Sequence, residues 1–269
     1  MSTGTVAVQN VPLPKIELLG VSKTFATPQG TVAALAETSL QIATNEIVCI
    51  VGPSGCGKST LLNLVAGFIA PSAGAVLVDD AAVAGPGAER AVVFQQDSVF
   101  PWLTVEQNLA YGPVARKVPA AEVSQIVERL LSLVGLAEYR DLYPLQLSGG
   151  MKKRVDLARA YANKPAILLM DEPFGALDVL TREEMQIELL RLWQEEALTI
   201  LFVTHDIEEA LFIGDRVVVL TPRPARVAAD VTVSLDRELD PRRKTSASFQ
   251  ALRQQLMDIL SQKNVEPAA

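Results

Sequence analysis

Cysteine, histidine and long apolar runs are all scarce in this sequence, and each scarcity excludes a class of protein. Cys49 and Cys56 are the two cysteines among 269 residues. Their spacing fits no zinc site, so we expect free thiols in a reducing compartment. Because no run of about 18 apolar residues occurs, no membrane-spanning helix is predicted. The stretch Met1 to Pro12 has neither a basic nor an apolar region, which argues against a signal peptide.

Positive charge is also in short supply. Lysine and arginine number 24 against 31 aspartates and glutamates, a formal net charge of −7. This balance disfavours a broad nucleic-acid-binding surface, so no nucleic-acid partner is expected. A composition with 49% hydrophobic and 20% charged residues is ordinary for a globular chain. The length suits one large α/β domain or a domain with a subdomain.

A glycine-rich loop between a predicted strand and a predicted helix is the strongest signal present. The β-branched run Ile47 to Val51 predicts a buried strand, and Gly52 to Ser59 matches G-x-x-x-x-G-K-[ST] at every position. The inward-pointing N–H groups of such a loop bind phosphate. We expect Lys58 to contact the β- and γ-phosphates and the Ser59 hydroxyl to bind Mg²⁺. The predicted nucleotide-binding residues here are Gly52, Pro53, Ser54, Gly55, Cys56, Gly57, Lys58, Ser59 and Thr60.

Two later strands are predicted to end in polar side chains. The apolar run before Asp171 and Glu172 is typical of P-loop enzymes, which bind Mg²⁺ through the aspartate. Glu172, one residue beyond, is a candidate general base for an attacking water. His205, the single histidine, follows the next strand and is predicted to lie at the same edge of the sheet. An acidic pair at a strand end is often only solvent-exposed surface, but the P-loop upstream favours a catalytic role for this pair.

The stretch Leu147 to Gly150 is followed by a helical run that begins with an unusual charge pattern. Lys152, Lys153 and Arg154 lie near the predicted helix N-terminus, where cations are unfavourable. An anion that docks at this helix start would explain them. A helix cap followed by a solvated basic face is the alternative, and the residues by themselves leave both open.

Two aromatic features also leave alternatives open. Phe25 is the nearest aromatic residue upstream of the phosphate loop; it is a candidate for stacking on adenine, but packing in the core is the commoner role. Phe100 and Trp102 flank Pro101 in a segment too broken to begin as a helix. They are candidates either for the core or for an exposed surface that receives a partner.

The order of these elements predicts an α/β fold: a P-loop NTPase core with a mixed sheet, an N-terminal antiparallel β layer and an inserted α-helical subdomain. Two strands precede the phosphate-loop strand, and the middle of the chain is helical where a doubly wound sheet would alternate. The predicted division is a flexible lead-in at 1–14, an ATPase domain at 15–239, and a C-terminal linker and helix at 240–269. Within the ATPase domain, 15–96 and 164–239 form the core and 97–163 the helical subdomain.

In this order and over most of the chain, the motifs resemble the ATP-binding subunit of ABC transporters. Leu147 to Gly150 is similar to the family's signature motif, which is far more specific than a P-loop. The resemblance implies that two copies pair head to tail. The signature residues Ser148, Gly149 and Gly150 of one copy would then close over ATP and Mg²⁺ at the P-loop of the other.

Further roles follow from the resemblance by position. It implies that Phe25 stacks on adenine and that Gln95 approaches Mg²⁺ and the attacking water. Asp171 would bind Mg²⁺, and Glu172 would be the catalytic base. Asp178 would be the aspartate of the D-loop, and His205 the switch histidine. The sequence departs from the commonest family pattern at Met151, Lys153 and Asp156.

Finer features resemble the importers of nitrate, sulfonates and taurine. They are Gln95 with the segment Phe100 to Thr104, the run Met170 to Asp178, and the run Thr221 to Pro224. The resemblance implies a transmembrane permease that contacts the region Gln96 to Thr104 and, indirectly, a solute-binding protein. The ATPase partner would be a second copy or a homologous subunit. The expected location is peripheral, at the cytoplasmic face of the inner membrane.

Three other assignments compete with an importer ATPase. One is the ATPase of an exporter or lipid-extraction complex, which its membrane partner would distinguish. Another is a non-transport ABC ATPase, but translation types generally carry two cassettes, and repair types carry coiled coils of which no heptad run is visible. A GTPase is disfavoured because no Asn-Lys-x-Asp motif occurs, the stretch Asn163 to Ala166 failing at its last position.

Overall fold

The computed structural model of the chain describes residues 14–28, 30–96, 98–196, 198–235 and 239–263, with side chains to 261. Nearly all of the predicted lead-in at 1–14 lies outside the described residues. In chain order the strands are β1 Pro14–Thr27, β2 Gly30–Ala43, β3 Ile47–Val51, β4 Ala73–Val78, β5 Ala81–Ala82, β6 Arg90–Val93, β7 Ile167–Asp171, β8 Thr199–Val203, β9 Arg216–Leu220 and β10 Val227–Thr232. The helices are α1 Lys58–Ala66, α2 Val105–Ala115, α3 Ala120–Leu133, α4 Gly149–Tyr161, α5 Val179–Glu195, α6 Ile207–Ile213 and α7 Ala247–Lys263.

A four-stranded antiparallel sheet, in the order β2-β1-β4-β5, forms the predicted N-terminal layer. The alternation of its strands decides which face is buried. Ile16 and Leu18 of β1 are fully buried, whereas Glu17 between them is half-buried. The buried face packs on α1 and on the second sheet, so this layer covers the phosphate-loop helix from one side.

The second sheet has six strands in the order β10-β9-β3-β8-β7-β6 and is parallel except for β10. Strands β3 and β8 are buried at all five positions, as expected for a parallel sheet covered on both faces. The register pairs Asp171 with Val203 and Val51 with Val219. Because parallel strands end at the same edge, this register brings the predicted site residues to one side of the sheet.

Helices α2, α3 and α4 occupy the interval between β6 and β7, as the predicted helical subdomain requires. The segment that enters α2 is held by the buried side chain of Asn108. Its amide nitrogen lies within 3.1 Å of the carbonyl oxygens of Phe100 and Leu103, and its oxygen accepts from the Phe100 N–H at 2.8 Å. Thr104 and Gln107 form a capping box at the start of α2. The loop with Phe100 and Trp102 is therefore ordered by specific hydrogen bonds.

The C-terminal segment packs against the core. The predicted charged linker contains a short 3-10 helix, Pro241–Thr245, and α7 follows it. Phe249 and Leu256 of α7 are fully buried, and Arg253 forms an ion pair with Glu208 of α6. Both cysteines are free, as predicted, and both are buried. Within the described ranges, no helix combines the length and apolar composition needed to cross a membrane.

Candidate nucleotide-binding and hydrolysis site

The phosphate loop joins the end of β3 to the start of α1, and its backbone shape depends on glycine. Gly57 has a φ of 132°, and a Cβ there would lie 2.8 Å from the carbonyl oxygen of Ala34, so no other residue fits without displacing the backbone. Helix α1 begins at Lys58 with no side-chain cap. Its first N–H groups are therefore available to an anion, which the helix dipole also favours.

Two cations are tied to this loop through its carbonyl oxygens. The buried Lys58 ammonium donates to Gly52 O at 2.9 Å and Pro53 O at 3.0 Å. The Arg223 guanidinium donates to Gly55 O at 2.8 Å. The sequence analysis included Arg223 in the run Thr221 to Pro224 but gave it no role at the phosphate loop. The pairing of β9 with β3 was needed to show that residues after Leu220 lie beside the loop.

Ser59 and Asp171 meet at the predicted metal site. The Ser59 hydroxyl donates to Asp171 Oδ1 at 3.1 Å. Burial raises the pKa of Asp171, the Ser59 hydrogen bond opposes that rise, and the charge of Glu172 adds to it. A nearby cation would offset this cost by favouring the ionised carboxylate. Mg²⁺ takes one or two protein oxygens and completes its shell with phosphates and water, so this pair fits it.

Two predicted residues, His205 and Gln95, converge on one oxygen of a third, Glu172. The ring nitrogen His205 Nδ1 lies 3.1 Å from Glu172 Oε2, and the amide nitrogen Gln95 Nε2 lies 3.4 Å from the same oxygen. No hydrogen bond from the described residues reaches the second carboxylate oxygen, Oε1. The structure thus gathers side chains from the ends of β6, β7 and β8 around a carboxylate with one free oxygen.

The backbone at Glu172 is itself unusual. Its φ is 44°, in the left-handed region that residues other than glycine rarely adopt. The Glu172 N–H donates to Val203 O at 2.9 Å, which prolongs the β7–β8 pairing by one residue and holds this conformation. Strained backbone of this kind is concentrated at functional sites, where the surrounding structure fixes it.

The loop that carries His205 is anchored by a buried carboxylate. Glu209 of α6 is 5% exposed and accepts hydrogen bonds from the Thr204 hydroxyl at 2.5 Å and from the Gln186 amide at 3.1 Å. Thr204 Oγ1 in turn accepts from the Asp206 N–H at 3.1 Å. Burial raises the pKa of Glu209, and the two hydrogen bonds act against that rise. Sequence reasoning did not single out Glu209, because its helical pattern gives no sign that the side chain turns inward.

The signature residues lie on a separate, exposed part of the chain. Ser148 caps α4 by accepting from the Met151 N–H at 3.2 Å, and Asp178 caps α5 by accepting from the Thr181 N–H at 3.1 Å. Hydrogen bonds from the side chain and the backbone of Thr181 lower the pKa of Asp178. A Cβ on Gly150 would lie 2.6 Å from Thr181, so the two helix starts are adjacent. No hydrogen bond or ion pair among the described residues joins Ser148, Gly149, Gly150 or Asp178 to the phosphate loop.

Of the alternative that combined a helix cap with a solvated basic face, the structure has the cap at Ser148, but Lys153 is not solvated. Lys153 is 2% exposed and donates to Phe94 O at 2.7 Å and Gln95 O at 3.3 Å. Arg154 donates to Val134 O and pairs with Glu184. Lys152 is half-buried. The buried position of Lys153 was not predicted, because its partners are nearly 60 residues away in sequence.

Phe25 lies at the surface of β1. It is 37% exposed, and the Lys23 ammonium is 5.1 Å from the centre of its ring. The ring is therefore not a core residue, which removes the commoner of its two expected roles. Adenine stacking by Phe25 stays a prediction.

Three aromatic side chains form an exposed cluster in the helical subdomain, which we call the aromatic pad: Phe100, Trp102 and Tyr111. The Phe100 ring centre is 5.5 Å from that of Trp102 and 4.6 Å from that of Tyr111. Trp102 is 68% exposed, whereas Phe100 is half-buried beneath it. Of the two alternatives for this segment, the geometry favours a surface that receives a partner.

Known proteins resemble this chain over most of its length. The family described as ABC transporter matches residues 35–175. The taurine import ATP-binding protein of Roseobacter denitrificans is 46% identical over 213 residues, 79% of this chain and 80% of that protein. The nitrate import ATP-binding protein of Synechococcus elongatus is 44% identical over 247 residues, 89% of each chain. A dimeric ATP-binding cassette solved in a post-hydrolysis state with ADP and Pi has a TM-score of 0.73 and 31% identity, covering 82% of this chain and 99% of that one.

Proposed function

This chain belongs to the ABC transporter family, and on that premise we propose that it is the ATPase subunit of an importer. It binds ATP and hydrolyses it as a head-to-tail dimer, and so drives uptake of a small anion through a separate permease. The observation that carries the proposal is the convergence of Gln95 and His205 on Glu172, next to the Ser59–Asp171 pair and the phosphate loop.

In this proposal Glu172 is the general base. Its free oxygen, Oε1, accepts the proton of a water that attacks the γ-phosphate, while Gln95 and His205 hold the carboxylate through Oε2. Lys58 and the N-terminus of α1 hold the phosphates. Ser59, Asp171 and Gln95 would hold Mg²⁺, which neutralises phosphate charge when bound.

The second half of the site comes from a second subunit. Ser148, Gly149 and Gly150 with Asp178 lie on one exposed face, and Val179 and Leu180 beside them are apolar and exposed. Exposed apolar side chains next to an uncovered helix N-terminus suit a dimer interface that closes over ATP. A dimeric cassette with ADP and Pi among the similar structures supports this arrangement.

The permease is proposed to dock at the aromatic pad and the adjoining stretch from Gln96 to Thr104. An exposed aromatic cluster on a segment ordered by Asn108 resembles the anchors of protein interfaces. The subunit would then sit peripherally at the cytoplasmic face of the inner membrane. A solute-binding protein would deliver the anion to the permease. We also propose the domain boundaries 15–239 and 240–269, with the helical subdomain at 97–163.

The importer assignment and the class of solute rest on similarity to two proteins named for taurine and nitrate import. The test is transport of labelled taurine and nitrate by vesicles that contain this subunit with the permease and solute-binding protein purified alongside it. Uptake of either anion that requires ATP supports the proposal. Net export, or a non-membrane partner, would instead support one of the competing ABC assignments.

The hydrolysis mechanism is tested with Glu172→Gln. Removing a general base lowers kcat by about 100-fold to 10,000-fold, and the amide still allows ATP to bind, so an ATP-bound dimer should accumulate. Phosphate release measures turnover, and light scattering after gel filtration measures the dimer. Lys58→Ala should lose ATP binding, because the helix N-terminus then acts without its cation.

Glu122→Gln makes the same chemical change on the exposed face of α3 and serves as the matched control. It should hydrolyse ATP at the wild-type rate. Wild-type turnover in Glu172→Gln would remove Glu172 from the role of base. Unchanged ATP affinity in Lys58→Ala would remove Lys58 from the nucleotide site.

A further inference from the structure

Helix α4 carries two charged side chains that are almost completely buried. Lys153 is 2% exposed and Asp156 is 1% exposed. Burying a charge is costly unless it is paired and hydrogen-bonded, so side chains of this kind have specific partners. Both positions are departures from the commonest family pattern noted above. The partners of these two residues lie on different segments of the chain.

Lys153 reaches the backbone that presents Gln95. Its ammonium donates to Phe94 O at 2.7 Å and to Gln95 O at 3.3 Å. These carbonyls belong to the residues directly after β6, and the Gln95 side chain is the one that contacts Glu172. Lys153 therefore ties α4 to the backbone segment that carries the Gln95 side chain.

Asp156 extends the same contact toward the aromatic pad. Its carboxylate lies 3.7 Å from the Lys153 ammonium and accepts from the Ser98 hydroxyl at 2.5 Å and from Arg159 at 2.9 Å. The Arg159 guanidinium also donates to Ser98 at 2.6 Å and stacks over the Phe100 ring, 4.6 Å from its centre. One continuous set of contacts thus runs from the pad to the backbone of Gln95.

We infer that Lys153, Asp156 and Arg159 form a charged link that ties the aromatic pad to the catalytic glutamine. The inference rests on the proposed function, because it assigns the pad to the permease and Gln95 to the hydrolysis site. Lys153 is a positioning residue: its ammonium holds the backbone of Gln95, whose side chain reaches Glu172. Arg159 forms the pad end of the link, because its guanidinium stacks on Phe100 and would move with that ring when a partner binds the pad.

Helix α4 is suited to carry this displacement because it is a single rigid element. It begins at the signature residues Ser148 to Gly150, and the link lies within its next three turns. A shift of the helix therefore moves the signature face and the Gln95 backbone together. Contact at the pad would favour both closure over ATP and alignment of the glutamine.

The first test cuts the link at the Gln95 end. Lys153→Met removes the ammonium but leaves Asp156 paired with Arg159, so no charge is left buried alone. We expect kcat of the isolated subunit at saturating ATP and Mg²⁺ to fall about 10-fold to 100-fold, because a small misplacement of a positioned group is costly. The KM for ATP should stay within about twofold, since the Lys153 ammonium is bound to the backbone after β6. A purely structural effect would lower the melting temperature and the amount of active protein without this split between kcat and KM.

The second test cuts the link at the pad end and is independent of how Lys153→Met folds. Arg159→Met leaves Lys153 paired with Asp156. The isolated subunit should keep its ATPase rate within about twofold, whereas stimulation by the permease in the assembled transporter should be lost. Full stimulation in Arg159→Met, or wild-type kcat in a folded Lys153→Met, would overturn the inference. An absence of ATPase activity in the wild-type protein would instead overturn the proposed function, so the two failures are distinguishable.

Discussion

The buried carboxylate of Glu209 offers the most direct test of how the His205 loop is held. Glu209→Ala removes the acceptor of two buried donors, the Thr204 hydroxyl and the Gln186 amide. Each buried group left without a partner costs about 1–3 kcal/mol. Thr204 keeps its bond from the Asp206 N–H, so we expect a total loss of roughly 2–4 kcal/mol.

A loss of this size should be visible in thermal unfolding. For a chain of this length each kcal/mol lowers the melting temperature by roughly 2–4 °C, so Glu209→Ala should melt roughly 4–16 °C lower. Circular dichroism at pH 7.5 measures the change, with Glu122→Ala on the exposed face of α3 as the control. A melting temperature within about 2 °C of the wild type would refute the reasoning.

The pH dependence gives a second measurement of the same residue. Because burial raises the pKa of Glu209 above its usual 4.5, the folded state keeps the proton to higher pH than the unfolded state. The stability that the protonated Glu209 contributes to the folded state is therefore fully present below pH 4.5 and is lost as the pH rises through the pKa of Glu209 in the folded state. Glu209→Gln cannot titrate, so its stability relative to the wild type should increase over that pH interval. Parallel pH profiles for the two proteins would contradict the raised pKa.

Two further substitutions test the fold and the pad. Gly67→Ala should destabilise the protein by at least about 1 kcal/mol, because Gly67 has a φ of 77° and a Cβ there would lie 2.3 Å from Gly85 O. Differential scanning calorimetry measures the change in stability. The control Gly85→Ala has open space around its Cβ and should melt at the wild-type temperature. Trp102→Ala should leave the melting temperature and the basal ATPase rate unchanged but weaken permease binding at least about tenfold in a pull-down titration, as expected for an interface anchor. Leu19→Ala changes an exposed apolar residue of the antiparallel sheet and should not weaken permease binding. Equal permease binding by the two variants would argue against the aromatic pad as the docking surface.

Local motifs explain why much of the site was predictable. The phosphate loop and the Asp171-Glu172 pair are short, and each is defined by its neighbours along the chain. The strands that carry them are apolar throughout because both sheet faces are covered. Parallel strands end at one edge, so the meeting of Glu172 and His205 followed from strand order. The fold class, the antiparallel layer and the helical subdomain were predicted on the same grounds.

Other features depend on contacts between distant segments and could not be read from local pattern. Lys153 reads as a solvated lysine until α4 is placed against the residues after β6. Arg223 acquires a partner in the phosphate loop only once β9 is paired with β3. Glu209 sits in an ordinary helical pattern, and its buried partner Gln186 belongs to a different helix. In each case a polar side chain acquires its partner through tertiary packing, which periodicity alone does not encode.

The left-handed backbone of Glu172 limits which amino acids can replace it during evolution. A single base change converts a glutamate codon to aspartate, glycine, alanine, valine, glutamine or lysine. Of these, glycine and aspartate suit a φ of 44°, whereas the β-branched valine is the most strained. Of the two replacements that the backbone tolerates best, glycine has no carboxylate, and the side chain of aspartate is shorter than that of glutamate by one methylene. With Glu172 as the proposed base, folding and turnover place opposite demands on this position: a substitution that eases folding here removes or displaces the carboxylate without changing the fold.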